Sequence, residues 1–246
     1  MYNYIQNLAD NTLVLGQRLS EWCGVGPFLE EDLALTNTAL DIIGQSKMLL
    51  ELAAEVKGSG ETADELAFMR DQHDFKNIIL VEQPNGDYSQ TMLRQYFMDV
   101  YHCHLYQALS NSANQQLADI AAKSVKEVIY HLERSELWIK RMAHGTEESF
   151  NKIQASLDKL WHFHHEMFEE SDELKVLVKN GIAADPNELK QKWSTDVNSL
   201  INSTSLIIPQ KGWKATGGRI GHHSEYLGLM LCEMQFLQRA YPNCEW

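Results

Sequence analysis

A chain of 246 residues, 44% of them hydrophobic, is long and apolar enough to bury a generous core and is not a disordered polymer. Its formal net charge of -13 sets it against nucleic acid and anionic membrane surfaces, both of which would repel it. No apolar run approaches the ~20 residues of a membrane span, and Met1-Tyr2-Asn3-Tyr4 has no leader character. Cys23, Cys103, Cys232 and Cys244 form no Cys-x-x-Cys, so a cytoplasmic protein with reduced cysteines that mostly serve packing is expected.

Helical periodicity dominates from the start. The spacing predicts a first helix over 5–22, with Leu8, Leu13, Leu15 and Leu19 as its apolar stripe, ended by Gly24-Val25-Gly26-Pro27. A second, over 29–56, opens with Glu30, Glu31 and Asp32, where the helix dipole favours negative charge, and stops at Gly58-Ser59-Gly60. Residues 61–90 are less regular. The stretch 61–71 reads as a short helix, 75–82 equally well as helix or strand, and Gln83-Pro84-Asn85-Gly86-Asp87 as a turn. Long helices follow over 89–110 and 114–142. Gly145-Thr146-Glu147-Glu148 caps a fifth over 146–168. Asp185-Pro186 opens another over 186–201, and a Gly-rich stretch over 211–221 leads to a last helix over 222–240. The expectation is one all-α domain over 1–246, with four long core helices and additional peripheral ones.

Ten histidines on such helices raise the question of a dimetal centre. A four-helix bundle builds one from Glu-x-x-His on two helices and a lone Glu on each of two others. Residues three apart share a helix face, which is why that spacing works. Here no histidine has a Glu three places before it, and Asp99-x-x-His102 comes nearest. As a metal half-site it is incomplete; a buried polar contact is the simpler expectation. His131 lies on a face with Ala121, Ser124, Val125, Val128, Leu132, Ser135 and Trp138, so it reads as a buried imidazole in need of a hydrogen-bond partner, with Asp99 as a candidate. Gln45 shares a face with Leu35, Thr38, Ile42 and Leu49, an inward amide suited to a polar network and poorly suited to iron.

Other motifs carry less. In Trp161-His162-Phe163-His164-His165-Glu166 the neighbours His162, His165 and Glu166 lack further ligands, and a mixed core-and-surface helix face is expected. His222-His223 reads as a capping, surface-facing pair at a helix start. Gly217-Gly218-Arg219-Ile220-Gly221 is not a dinucleotide fingerprint, because no strand precedes it. No Gly-x-Ser-x-Gly elbow is present and nothing marks a cysteine nucleophile.

Three strings carry a family resemblance: Leu15-Gly16-Gln17-Arg18-Leu19-Ser20-Glu21-Trp22-Cys23-Gly24, Val81-Glu82-Gln83-Pro84-Asn85-Gly86-Asp87, and Glu233-Met234-Gln235-Phe236-Leu237-Gln238-Arg239-Ala240-Tyr241-Pro242. They resemble the C subunits of the bacterial ring-1,2-phenylacetyl-CoA epoxidase, a multicomponent oxygenase of aerobic phenylacetate breakdown, and the likeness runs over essentially the whole chain. The resemblance implies a ferritin-like helical bundle. It implies partnership with a catalytic A subunit of similar fold, which holds the di-iron centre and the acyl-CoA substrate. A reductase subunit with flavin and an iron–sulfur cluster would deliver electrons from NADPH to that partner. The C subunit of the family is regarded as structural, so neither a cofactor nor a catalytic residue is expected in this chain. Binding through apolar helix faces is expected, with Trp22, Trp138, Trp161, Trp193 and Trp246 among the aromatic groups on offer. Self-pairing into a homodimer when isolated is a further expectation.

Laid against the sister subunit's ligand pattern, the resemblance puts Ile42 and Gln45 at the Glu-x-x-His place of the second helix, and Val128 and His131 at that of the fourth. The lone carboxylates fall on Leu13 and Asp99. Asp99 and His131 alone do not hold two iron ions, while Ile and Val fill the space that metal and carboxylates would take. Two rival readings remain. One is a dimetal enzyme with unusual ligands drawn from Asp99, His102, Glu127, His131 and Asp41, although Glu127 and Asp41 each stand one residue, about 100° of helix, from the required place. The other is a small-molecule binding module in the vacated cavity.

Overall fold

The computed structural model describes residues 1–210, 212–242 and 244, and among them all regular structure is helical. The α-helices in chain order are α1 (Tyr2–Ser20), α2 (Leu29–Lys57), α3 (Ala63–Phe68), α4 (Ile79–Glu82), α5 (Tyr88–Leu109), α6 (Gln115–Ala143), α7 (Glu147–Leu160), α8 (Asp172–Lys179), α9 (Pro186–Asn202), α10 (Glu225–Met234) and α11 (Phe236–Ala240). Short 3-10 stretches cover Gln72–Asp74, Trp161–Phe168 and Gly218–Ile220. Among the described residues no helix is long and apolar enough to cross a membrane. The chain divides into two compact units, Met1–Pro84 with Thr216–Trp246, and Asn85–Ala215.

In the first unit α1 and α2 form an antiparallel hairpin. They approach closely where Gly16 faces Ile43: a Cβ at residue 16 would sit 2.6 Å from Ile43 Cγ1. The Ser46 hydroxyl donates across the pair to the Ala9 carbonyl (3.0 Å). α2 ends at Gly58, whose left-handed φ of 67° suits a residue without Cβ.

The other side of α1 is buried and polar, and it organises the irregular segment 70–78. Gln6 donates to the Asp74 carbonyl (2.9 Å) and Asn7 to that of Lys76. Asp10 accepts from the Arg70 guanidinium (2.9 Å) and from the Lys76 N–H (2.8 Å), while Asn11 accepts from the Ile78 N–H (2.8 Å). Backbone groups that a strand or helix would pair are thus satisfied by side chains of α1. This is why 75–82, ambiguous in sequence, is extended backbone over 75–78 followed by the single turn of α4.

The C-terminal stretch closes over the same segment. Arg239 donates to the carbonyls of Met69 (3.0 Å) and Arg70 (2.8 Å), and Gln235 to that of Arg70 (3.0 Å). Gly221 lies against His73: its φ is +89°, and a Cβ there would fall 2.2 Å from the His73 carbonyl oxygen.

The second unit is built on the α5–α6 hairpin, with side-chain caps at both starts. Asp87 accepts from the Gln90 N–H and Asn114 from the Leu117 N–H. Its core is aromatic. Trp193 of α9 is 1% exposed, donates from Nε1 to the Phe97 carbonyl (2.9 Å), and packs against Phe97 (5.4 Å between centroids), Phe168 (5.7 Å) and His164 (4.9 Å, stacked).

Several sequence expectations change. The first helix spans Tyr2–Ser20 rather than 5–22. The helix expected over 146–168 stays α-helical only to Leu160, then tightens to 3-10. Residues three apart eclipse in that geometry, and Trp161 and His164 meet at 4.4 Å. α8, with Ser171 as its cap, has no counterpart among the expected elements. The last helix starts at Glu225, because His223 and Ser224 are engaged elsewhere, and breaks at Gln235, whose amide bonds the 67–70 carbonyls. Only Cys103 is buried among the cysteines; Cys23, Cys232 and Cys244 are exposed. Trp193 belongs to the core, and Trp246 lies outside the described residues.

Candidate functional site

Two facing stripes of the α5–α6 hairpin carry the polar positions singled out above. On α5, Gln95, Asp99, His102 and Tyr106 recur at spacings of four and three; on α6, Ser124, Val128, His131 and Ser135 do the same. All eight are buried. Asp99 accepts from Gln95 Nε2 (2.6 Å) and from Ser135 Oγ (2.7 Å), one donor on each carboxylate oxygen. The contact is therefore partly within α5 and partly between the helices. Burial pushes its carboxyl up to about 6, opposed by the nearby charge of His131 and by the hydrogen bonds from Ser135 and Gln95.

His102 shares the α5 face but turns to aromatic company, stacking on Tyr106 (5.6 Å, 23°). Burial, with the neighbouring charge of His131 adding to it, pushes its imidazole down to about 3, so it stays neutral. His131 is buried, as its apolar face predicts. His104 points away from the cluster and meets Asp196 (2.6 Å). In the 3-10 stretch His164 is buried and hydrogen-bonded to the Trp161 carbonyl; burial holds it down to about 4.

In the first unit Leu13 lies buried on α1, and Ile42 and Gln45 lie buried on α2 with Leu35, Thr38 and Leu49. The six aligned positions thus divide into three hydrocarbon side chains, one amide, one carboxyl and one imidazole. Leu13, Ile42 and Val128 offer no donor atom, and the Asp99 oxygens are already shared between Gln95 and Ser135. Among the described residues no three His, Cys, Asp or Glu side chains are grouped to hold a metal ion. This donor set does not fit a dimetal centre, which needs several carboxylates and imidazoles converging on two ions. Glu127 and Asp41, the spare carboxylates, are both part-exposed.

Two hollows lie in the second unit. A groove of about 750 Å³ is lined by Asp87, Gln90, Glu147, Glu148, Lys152 and Lys159, among others. A smaller one of about 260 Å³ is lined by Tyr96, Glu136, Lys140, Asp196, Ser199 and Ser203, among others. None of the six positions lines either.

The most strongly built polar cluster was missed from sequence. Glu82 and His223 have fully buried side chains and meet at 2.8 Å through His223 Nδ1. His223 Nε2 faces the Phe75 carbonyl (2.9 Å), a group that only accepts, so that nitrogen carries a proton. The other Glu82 oxygen accepts from the backbone N–H (2.9 Å) and hydroxyl (2.6 Å) of Ser224. Glu82 thus meets the imidazole through one oxygen and Ser224 through the other, a fully buried carboxyl–imidazole pair. The Glu82 carbonyl in turn accepts from Arg18 Nη2 (2.9 Å), which also reaches the Tyr226 carbonyl (3.0 Å). The expectation of a surface-facing pair at 222–223 therefore holds for His222, which is exposed, and fails for His223, whose side chain is buried. Glu82 and His223 are 141 residues apart, a separation at which no local periodicity links them.

Comparison with known proteins accounts for the whole chain. Residues 1–246 match the family described as phenylacetic acid catabolic protein. The chain is 48% identical over 244 residues to the C subunit of the 1,2-phenylacetyl-CoA epoxidase of Escherichia coli (strain K12), an alignment covering 99% of this chain and 98% of that protein. The all-helical architecture agrees with the ferritin-like helical fold of the matched family. The chain belongs to the phenylacetic acid catabolic protein family.

Proposed function

We propose that this chain is a structural, non-catalytic subunit of a multicomponent phenylacetyl-CoA epoxidase in aerobic phenylacetate catabolism. In this reading it binds the di-iron catalytic A subunit and stabilises its active shape, and its own metal site has been lost. The observation that carries it is the chemistry of the six aligned positions: Leu13, Ile42 and Val128 fill the core with hydrocarbon, and Asp99 is committed to Gln95 and Ser135. Similarity to the C subunit of an epoxidase along nearly the full length supports membership of such a complex. The di-iron centre then belongs to the A subunit, and flavin and the iron–sulfur cluster to the reductase. The complex works in the cytoplasm.

Stabilisation by a partner follows mass action: whatever binds only the competent form of the A subunit raises the population of that form. The test combines two measurements. Elemental analysis of this chain, purified from iron- and manganese-supplemented cells, is expected to give near zero metal, against about two ions per A subunit. Epoxidation of phenylacetyl-CoA by the A subunit and reductase is expected to rise when this chain is added. Two metal ions per chain here, or activity indifferent to this chain, would overturn the proposal.

A further inference from the structure

Three residues of the first unit each hold two neighbours at once. The Arg70 guanidinium donates to Asp10 of α1 (2.9 Å), and the Arg70 carbonyl accepts from Gln235 (3.0 Å) and Arg239 (2.8 Å) of the C-terminal stretch. Glu82 reverses the arrangement: its carbonyl accepts from Arg18 of α1, and its carboxyl holds His223 and Ser224. Arg18 bridges directly, with Nη2 shared between the carbonyls of Glu82 (2.9 Å) and Tyr226 (3.0 Å). The segment 70–82 is thus bonded to α1 on one side and to 217–240 on the other.

Neither segment has the makings of independent order. Between Met69 and Ile78 the regular structure is the single 3-10 turn Gln72–Asp74, so backbone groups here draw on α1 side chains rather than on a ladder of their own. α10 and α11 are ten and five residues long, short of the ~12–15 residues at which an isolated helix becomes marginal in water. Phe75, Ile78, Leu80 and Val81 from one segment, and Leu227, Met230 and Leu231 from the other, are buried, so parting them exposes apolar surface on both. The α1–α2 hairpin, by contrast, has long helices and contacts of its own, Gly16 on Ile43 and Ser46 on the Ala9 carbonyl.

We infer that 70–82 and 217–240 form one cooperative opening unit. The C-terminal stretch and the segment beneath it leave α1 together, as a two-state element, while the α1–α2 and α5–α6 hairpins stay folded. Sub-global opening follows the way contacts are shared. Because Arg18, Arg70 and Glu82 bond in both directions, losing one side weakens the hold on the other. A ligand or partner that contacts only the closed form shifts this equilibrium by its differential affinity.

The test is hydrogen exchange of the full-length chain in sub-denaturing urea, read by mass spectrometry. Amides of 70–82 and 217–240 are expected to share one opening free energy and one urea dependence, below those of α5 and α6. Asp10→Asn loosens the α1 side, where Asp10 bonds Arg70 and the Lys76 N–H. It is expected to speed exchange at least tenfold in 217–240, where Asp10 makes no hydrogen bond among the described residues. Arg239→Ala loosens the other side from an exposed position. It is expected to speed exchange by a similar factor in the peptide carrying Lys76 and Ile78, whose amides are bonded to Asp10 and Asn11. Exchange in α5 and α6 is expected to be unchanged by either variant. A remote segment that exchanges as in wild type would overturn the inference. So would equal acceleration in α5 and α6, which would make the opening global.

Discussion

Asp99→Asn tests how this core tolerates a fully buried carboxyl. The Asp99 carboxyl titrates near 6 in the fold against an ordinary 3.8, with burial as the largest cause. An acid whose folded pKa is raised holds more protons folded than unfolded between those two values. Stability therefore falls as pH rises from about 3.8 to about 6, and the full penalty persists above that. At about 1.4 kcal/mol per pH unit, the charged form costs the fold about 3 kcal/mol at neutral pH. Asparagine removes the charge and keeps the bonds: Oδ1 accepts from Ser135, and Nδ2 donates to Gln95 Oε1 once that amide turns over. Urea unfolding of both proteins from pH 4 to pH 8 isolates the term as their difference. Asp99→Asn is expected to match wild type near pH 4 and to exceed it by about 3 kcal/mol at pH 8, roughly 5–10 °C in melting temperature for a chain of this size. A lower melting temperature for Asp99→Asn at pH 8 would refute the reasoning. It would mean that the attraction of His131 and the two hydrogen bonds outweigh the cost of burying the charge.

Four further outcomes are expected. His102 and His164, held down to about 3 and about 4, stay neutral in the fold while the unfolded chain takes up protons near 6.5, so stability declines as pH falls below 6.5; His102→Phe is expected to flatten that acid limb in the same urea series. Glu82→Ala strands the buried His223 ring and the Ser224 donors and is expected to cost about 3–5 kcal/mol, read by chemical denaturation at pH 7; a loss below ~1 kcal/mol would show that the cluster does not hold the fold together. Trp193→Ala empties the aromatic core of the second unit and is expected to cost about 3–5 kcal/mol, with near-ultraviolet dichroism collapsing in parallel. Gly221→Ala meets both a positive φ and the His73 carbonyl, and is expected to cost more than ~1 kcal/mol and to expose the 217–240 stretch to limited proteolysis at lower denaturant.

What local chemistry writes, the sequence determined by itself. Long helices with apolar stripes, the caps at Thr146 and Asp185, the glycine stop at Gly58 and the burial of His131 all follow from residues within a few turns of one another. That Leu13, Ile42 and Val128 carry no metal-donor atom needs no structure either, since their side chains are hydrocarbon. Tertiary structure decided everything that depends on partners far along the chain. The segment 74–78 takes its irregular course because Gln6, Asn7, Asp10 and Asn11, more than 60 residues away, take its backbone groups. Residues 161–168 tighten to 3-10 around ring contacts with α9 that no helical period encodes. Asp99 could have joined His131 on spacing alone, yet its oxygens are bonded by Gln95 and Ser135, a choice set by the register of α5 on α6. Glu82 and His223 each look ordinary in sequence. They become partners only because the C-terminal stretch folds back over α4, placing two polar side chains where water cannot reach and where each must find the other.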